Sequence, residues 1–137
     1  MNWRLIFGLS IFGLAMAIGT VFVIPSNIEP ICWLVIFLIC AYVIGRERSM
    51  GHFMHGLFVG VINSVWVTAV HILFFERYLE SHPKEAGMMN SMPLPTSPRL
   101  MMALIGPVIG VISGVVIGLL AYGASKFIAP RVPMPQQ

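Results

Sequence analysis

Charged side chains are scarce in this chain. Only 9% of its 137 residues are Asp, Glu, Lys or Arg, whereas 58% are hydrophobic, and the mean hydropathy is +0.89. Soluble domains carry about 25% charged residues, and a chain of this size exposes most of its positions when it folds in water. The composition therefore excludes an ordinary water-soluble domain and indicates a protein that is embedded in lipid.

Cysteine and the common catalytic motifs are also nearly absent. The two cysteines, Cys32 and Cys40, are eight residues apart, which is about 12 Å along a helix, whereas a disulfide needs Cα atoms within about 7 Å. The sequence has no CxxC pair, no Ser-His-Asp set, no paired catalytic carboxylates and no phosphate-binding glycine loop. It therefore predicts no enzyme and no cofactor. A basic run with interleaved aromatics is missing too, which argues against nucleic acid as a partner.

Four long apolar stretches dominate what is present. In hydrocarbon every backbone donor and acceptor must be satisfied within the protein, which leaves helices or a closed barrel, and continuous apolar stretches favour helices. About 20 apolar residues cross the hydrocarbon core of a bilayer. We predict that residues 1–137 form a single all-α membrane domain, a four-helix transmembrane bundle. Its spans lie at about 3–25, 28–45, 51–75 and 100–128, with an outer loop at 76–99.

Basic residues flank these spans unequally. With four crossings, one side holds Arg4, Arg46, Arg48, Lys126 and Arg131. The opposite side holds Arg77, Lys84 and Arg99. Because cytoplasmic loops are richer in Lys and Arg, we predict that both termini are cytoplasmic. The lipid bilayer itself is then the first partner of the chain.

The fourth span carries small residues at helical spacing. Its glycines recur at every fourth position: Gly106, Gly110, Gly114 and Gly118. Small residues at this spacing allow two membrane helices to approach closely. Gly13 and Ala17 in the first span have the same spacing, which makes that span a natural partner. The pattern leaves open whether the fourth span packs within the chain or against a second subunit in a homo-oligomer.

The third span carries nearly all the polar side chains at membrane depth. The residues His52, Asn63, Ser64 and His71 fall in one sector of about 120° around this helix. Such residues usually point towards other helices. One hypothesis is a path for a substrate, an ion or a proton along this face; the other is interhelical hydrogen bonding. The absence of Asp, Glu, Lys and Arg from the middle of the span favours packing.

Methionine and histidine offer a third hypothesis. His52 and His55 stand at the start of the third span, and Met88, Met89 and Met92 stand in the outer loop. Thioether sulfur selects Cu(I), and imidazole suits copper or zinc. Copper or other metal handling is therefore one interpretation of these residues, and methionine as adaptable packing is the alternative.

The outer loop is the largest aqueous part. Residues 76–85 are predicted to extend the third helix by a turn or two until Pro83 ends it. After Gly87, several Pro, Ser, Thr and Asn residues predict an irregular connector.

Three segments carry a resemblance. They are RER after the second span, ERYLESHPKE after the third and GPVIGVISGVVIGLL in the fourth. With the four-span layout, the chain resembles a group of small bacterial inner-membrane proteins that have no established activity. The resemblance implies a multi-pass protein of the inner (plasma) membrane. Together these features favour a structural or accessory component that associates with itself or with another membrane protein, with a small oligomeric channel or carrier as the alternative.

Overall fold

Helices account for all the regular structure in the part of the chain that the structure describes. The computed structural model describes residues 1–47, 50–89, 91, 97–129 and 131. They form six helices: α1 (Trp3–Phe22), α2 (Glu29–Glu47), α3 (His52–Leu73), α4 (Phe75–Ser81), α5 (Pro83–Met89) and α6 (Pro98–Ala124). Four of these, α1, α2, α3 and α6, are long enough and apolar enough to cross a membrane. The prediction of an all-helical protein with four candidate spans is confirmed.

The ends of the helices follow from local sequence. Asn2 precedes α1 and its Oδ1 accepts a hydrogen bond from the backbone N–H of Leu5 at 3.2 Å, which is a common way to cap a helix. Gly51 precedes α3 with a φ of 72°. Glycine adopts this left-handed conformation without a steric penalty, so the chain can turn sharply from α2 into α3.

The outer segment differs from the expected extension of the third helix. Helix α3 ends at Leu73, and Phe74 has a non-helical backbone that separates it from α4. This break turns Phe75 and Tyr78 inwards, where they are 6% and 7% exposed, so burial of two aromatic rings explains it. Pro83 follows α4 as expected. It also begins α5, since proline is well tolerated in the first turn of a helix.

Helices α3 and α6 approach each other so closely that their backbones are in contact at glycine positions. A Cβ atom built on Gly60 would overlap the backbone of Gly114, and one built on Gly56 would overlap the backbone of Gly118. Farther along the pair, Gly110 faces the side chain of Ser64. The glycine repeat of α6 is therefore covered by α3 of the same chain.

Helix α1 packs against α3, and α2 packs mainly against α6. The expected pairing of the first span with the fourth is wrong, because Gly13 of α1 lies against Asn63 of α3. Ala17 is fully buried in a cluster with Val21, Val70 and Tyr78. The small residues of α1 thus serve its contact with α3.

One apolar core joins all four long helices at the end of the bundle where α1 begins and α6 ends. Its buried residues are Ile6, Leu9, Cys40, Ala41, Ile44, Val59, Ile117 and Ala121. At the same end, the backbone N–H of Arg131 donates a hydrogen bond to the carbonyl of Arg46 at 2.7 Å, which joins the segment after α6 to the last turn of α2. All the buried residues of α2 lie in the second half of that helix. Its first half contributes no fully buried residue, although Ile36 and Phe37 at the end of that half pack against the core. The turns before them leave room for a cavity.

Candidate functional site

A cavity of about 530 Å³ lies between α2, α3 and α6, with α4 and α5 at its outer end. Its walls are mostly apolar, with a few polar groups among them. Binding sites for small molecules typically have volumes of about 300–1,000 Å³ and this kind of lining. The cavity therefore has the size and composition of a small-molecule site.

The polar face of α3 forms one wall of the cavity. Asn63, Ser64 and His71 all line it, together with Thr68, which the sequence analysis did not single out. His52 is half-buried at the first position of α3 and is not one of the lining residues. The structure thus brings three of the four predicted polar residues to one site.

Asn63 is 4% exposed and contacts α1. A Cβ atom built on Gly13 would lie 2.5 Å from Asn63 Oδ1. Neither Oδ1 nor Nδ2 of Asn63 has a hydrogen-bond partner among the described residues. An unpaired buried amide is costly, so this position carries a polar group that packing alone does not require.

His71 is held by both a hydrogen bond and ring stacking. Its Nε2 lies 2.9 Å from the hydroxyl oxygen of Thr20, and the Thr20 hydroxyl donates to the carbonyl of Ala17 at 3.0 Å. Because that hydroxyl has one hydrogen, Nε2 of His71 is the donor when Ala17 is the acceptor. His71 and Asn63 therefore contact the same partner helix, α1, and only His71 hydrogen-bonds to it.

Three stacked rings continue from His71 into the outer segment. The His71 and Tyr78 ring centroids are 4.0 Å apart with planes 22° from parallel, and the Tyr78 and His82 centroids are 4.4 Å apart with planes 19° from parallel. The stack connects the end of α3 with the junction of α4 and α5.

His82 is fully buried where this stack meets α2. Its Nδ1 lies 3.1 Å from the carbonyl oxygen of Tyr78, and a carbonyl only accepts, so Nδ1 carries a hydrogen. Its Nε2 lies 3.3 Å from Glu29 Oε2, which is within ion-pair distance but lacks the alignment of a hydrogen bond. His82 therefore ties the outer segment to the start of α2.

Two carboxylates stand at the outer end of the cavity. Glu29 begins α2 and Glu85 lies in the first turn of α5, and both line the cavity with Tyr78. Burial raises the pKa of the Tyr78 phenol, and the negative charges of Glu29 and Glu85 raise it further. The phenol is therefore a neutral hydrogen-bond donor beside two acids.

This acidic end is not among the sites predicted from the sequence. A signal was nevertheless available, because the four-span topology places Glu29 and the outer loop on one side of the membrane. That two particular carboxylates meet depends on the fold of the outer segment, which a hydropathy pattern does not specify.

The candidate metal ligands are not brought together. His55 uses both ring nitrogens: Nδ1 lies 2.7 Å from the carbonyl oxygen of Gly51, and Nε2 accepts from the N–H of Asn2 at 3.0 Å. His52 stands near it at the start of α3, whereas Met88 and Met89 line the cavity beyond the other end of that helix. Met92 lies outside the described residues. Within the ranges that the structure covers, no group of three or more His, Cys, Asp or Glu is able to hold a metal ion.

Comparisons with protein-family models, with curated proteins and with solved structures give no match to this chain. Its own geometry is therefore the basis for a function.

Proposed function

We propose that this chain is a four-helix transmembrane bundle of the inner (plasma) membrane that binds a small, mostly apolar molecule in the cavity between α2, α3 and α6. The observation that carries the proposal is the cavity of about 530 Å³, into which the polar face of α3 projects a few groups among apolar walls. A membrane carrier or receptor requires this combination of an apolar site with a few orienting polar groups.

The outer surface of the long helices supports placement in lipid. Large apolar side chains such as Ile11 and Ile31 are each 62% exposed, and Leu119 is 59% exposed. These residues belong to three different helices. Apolar surface on this scale is unfavourable in water, whereas hydrocarbon is a suitable solvent for it.

The distribution of basic residues supports an orientation with both termini in the cytoplasm. Arg4, Arg46 and Arg131 belong to the end of the bundle where α1 begins and α6 ends, and Arg131 is joined to Arg46 by a backbone hydrogen bond. The opposite end holds Arg77 and Arg99 among its basic residues. The end of the cavity where Glu29 and Glu85 stand then faces the non-cytoplasmic side.

Ligand binding is better supported than association through the glycine repeat. Because α3 covers Gly110, Gly114 and Gly118, that face of α6 is already used within the chain. A partner would have to bind a different surface. The cavity, in contrast, uses the polar residues of α3 for which packing gives only part of an explanation.

Quenching of Trp33 tests the proposal, because Trp33 lines the cavity. In a Trp3→Phe/Trp66→Phe background Trp33 is the only tryptophan. Two matched brominated probes are titrated into the protein in detergent micelles: 4-bromobenzyltrimethylammonium and its uncharged isostere 1-bromo-4-neopentylbenzene. We expect saturable quenching by both.

The matched variants are Ser113→Phe, which fills part of the cavity from α6, and Val116→Phe, which adds the same ring at a position on α6 that is 41% exposed and does not line the cavity. We expect Ser113→Phe to weaken binding about tenfold, as for the loss of a well-packed contact, and Val116→Phe to leave it unchanged. The proposal would be overturned if quenching saturates with neither probe, or if Ser113→Phe leaves the affinity of the probes unchanged.

A further inference from the structure

We infer that the occupant of the cavity is an organic cation, a molecule with an apolar body and an amine or quaternary ammonium group that binds beside Glu29 and Glu85. This inference rests on the proposed function, because it specifies the chemical class of molecule that the same cavity takes.

The residues that line the cavity carry negative charge. Glu29 and Glu85 line the cavity, and none of the described lining residues is Lys or Arg. Trp33 donates from its indole N–H to Glu29 Oε1 at 3.1 Å, and the Ser26 hydroxyl donates to Glu85 Oε2 at 3.1 Å. Neither donor neutralises a carboxylate. Among the described residues, Nε2 of His82 is the only nitrogen of a basic side chain within ion-pair distance of either carboxylate, and it faces Glu29.

Glu29 and Glu85 together outnumber the single imidazole of His82, so this end of the cavity has a net negative charge. A carboxylate beside apolar walls is costly to keep unpaired. A cation that enters from the aqueous side therefore gains charge pairing that a neutral molecule of the same shape does not. An anion would be repelled by both acids.

Aromatic rings line the cavity next to the two carboxylates. Trp33 lies one helical turn after Glu29, and Phe37 lies one turn farther, with the two ring centroids 5.9 Å apart. Cations bind to the faces of such rings within about 6 Å of the centroid. The ring of Tyr78 is stacked with those of His71 and His82. Its faces are therefore not available to a cation, and only its hydroxyl group can contact a bound molecule.

The apolar part of the cavity is long enough to hold the body of such a molecule. From Glu29 to Phe37 the cavity follows α2 for eight residues, about 12 Å along the helix axis. Val67, Ile105 and Ile109 complete the apolar walls at these levels. A charged group at the acidic end thus places an apolar body of one or two rings against hydrocarbon side chains.

The test uses the probe pair and the Trp33 background described above, because the two probes differ in charge and hardly in shape. We expect the ammonium probe to bind about tenfold more tightly than its uncharged isostere. Glu29→Gln/Glu85→Gln is expected to remove most of this preference, since only the aromatic rings then still favour the cation, and to leave the affinity for the uncharged probe unchanged. Glu80→Gln is the matched control, because Glu80 pairs with Arg77 on the surface and does not line the cavity.

A second variant guards against misfolding, because Glu29 also faces the buried His82. Glu85→Gln alone removes one acid without touching that pair, and we expect it to reduce the preference for the cation by a smaller factor. Equal affinity for the two probes, or a preference that Glu29→Gln/Glu85→Gln leaves undiminished with uncharged-probe binding intact, would overturn the cation inference and leave the proposed function standing. Failure of both probes to bind would overturn the proposed function itself.

Discussion

The Nε2 atom of His71 lies 2.9 Å from the hydroxyl oxygen of Thr20, and this buried hydrogen bond joins the end of α1 to the end of α3. Both side chains are almost completely buried. The same His71 lines the cavity and stacks on Tyr78. The hydrogen bond from α1 and the stacking on Tyr78 together fix the position of a ring that belongs to the candidate site.

Replacing Thr20 by Val removes this hydrogen bond with little change in shape. We expect the free energy of unfolding to fall by about 1 kcal/mol, between the average for interhelical bonds in membranes and the cost of a buried unpaired group. Thr20→Ser keeps the hydroxyl and is expected to retain most of the stability. Unfolding by sodium dodecyl sulfate in mixed micelles measures both. Equal stabilities of the Val and Ser variants would show that the bond contributes nothing.

A larger loss in the free energy of unfolding is expected from a substitution in the contact between α3 and α6. A Cβ atom at Gly60 would overlap the backbone of Gly114, so Gly60→Ala must push the two helices apart. Overpacking of this kind costs about 1–3 kcal/mol, and we expect at least that loss in the same unfolding experiment.

Gly8→Ala is the matched control, because a Cβ atom at Gly8 in α1 meets nothing within 4 Å. There the better helix propensity of alanine is expected to stabilise the protein by up to about 1 kcal/mol. If both substitutions have the same effect, the close approach of α3 and α6 is not present in the folded protein.

How far the sequence predicts this molecule depends on what each signal encodes. The four long helices were predictable, because hydropathy over about 20 residues reports directly on the cost of exposing each segment to water. The glycine spacing in α6 predicted a close contact but not its partner. Gly56 and Gly60 in α3 have the same spacing of four as Gly13 and Ala17 in α1, so spacing alone does not distinguish the two candidates.

The cavity lay beyond sequence reasoning for a different reason. It exists because the first turns of α2 contribute no buried residue to the core and because α4 and α5 fold back to bring Tyr78 and Glu85 beside Glu29. The break at Phe74 that permits this has no proline or glycine to mark it. Burial of Phe75 and Tyr78 decides it, and burial is a property of the assembled chain.

Gly13 and Asn63 provide a test of the contact between α1 and α3. Gly13→Ala places a methyl group against the Asn63 amide, and we expect a loss of about 1–3 kcal/mol in the free energy of unfolding. Adding Asn63→Ala removes the obstructing side chain and its unpaired polar atoms. The double variant is therefore expected to recover most of the loss, a positive coupling between neighbouring residues. Additive losses in unfolding titrations of the two single variants and the double variant would contradict the contact.

Tyr78 leads to a prediction about alkaline pH. Burial first, and then Glu29 and Glu85, raise the pKa of its phenol in the folded protein, whereas in the unfolded chain a tyrosine ionises near pH 10. Above about pH 10 the unfolded state releases the proton and the folded state keeps it. The stabilising contribution is therefore complete below that pH and is lost as the pH rises further, with a limiting slope of about 1.4 kcal/mol per pH unit for one group.

Tyr78→Phe removes this titration and retains the ring stack. We expect the variant to lose less free energy of unfolding than the original chain between about pH 9.5 and 11, the range around the tyrosine pKa of the unfolded state. Glu85→Gln removes only part of the smaller cause, so burial still keeps the phenol protonated in this range, and we expect a slope close to that of the original chain. Unfolding titrations at a series of pH values measure the slopes. Parallel curves for the original chain and Tyr78→Phe would mean that the phenol is not buried beside the two acids, and the acidic end of the cavity would then not be assembled as described.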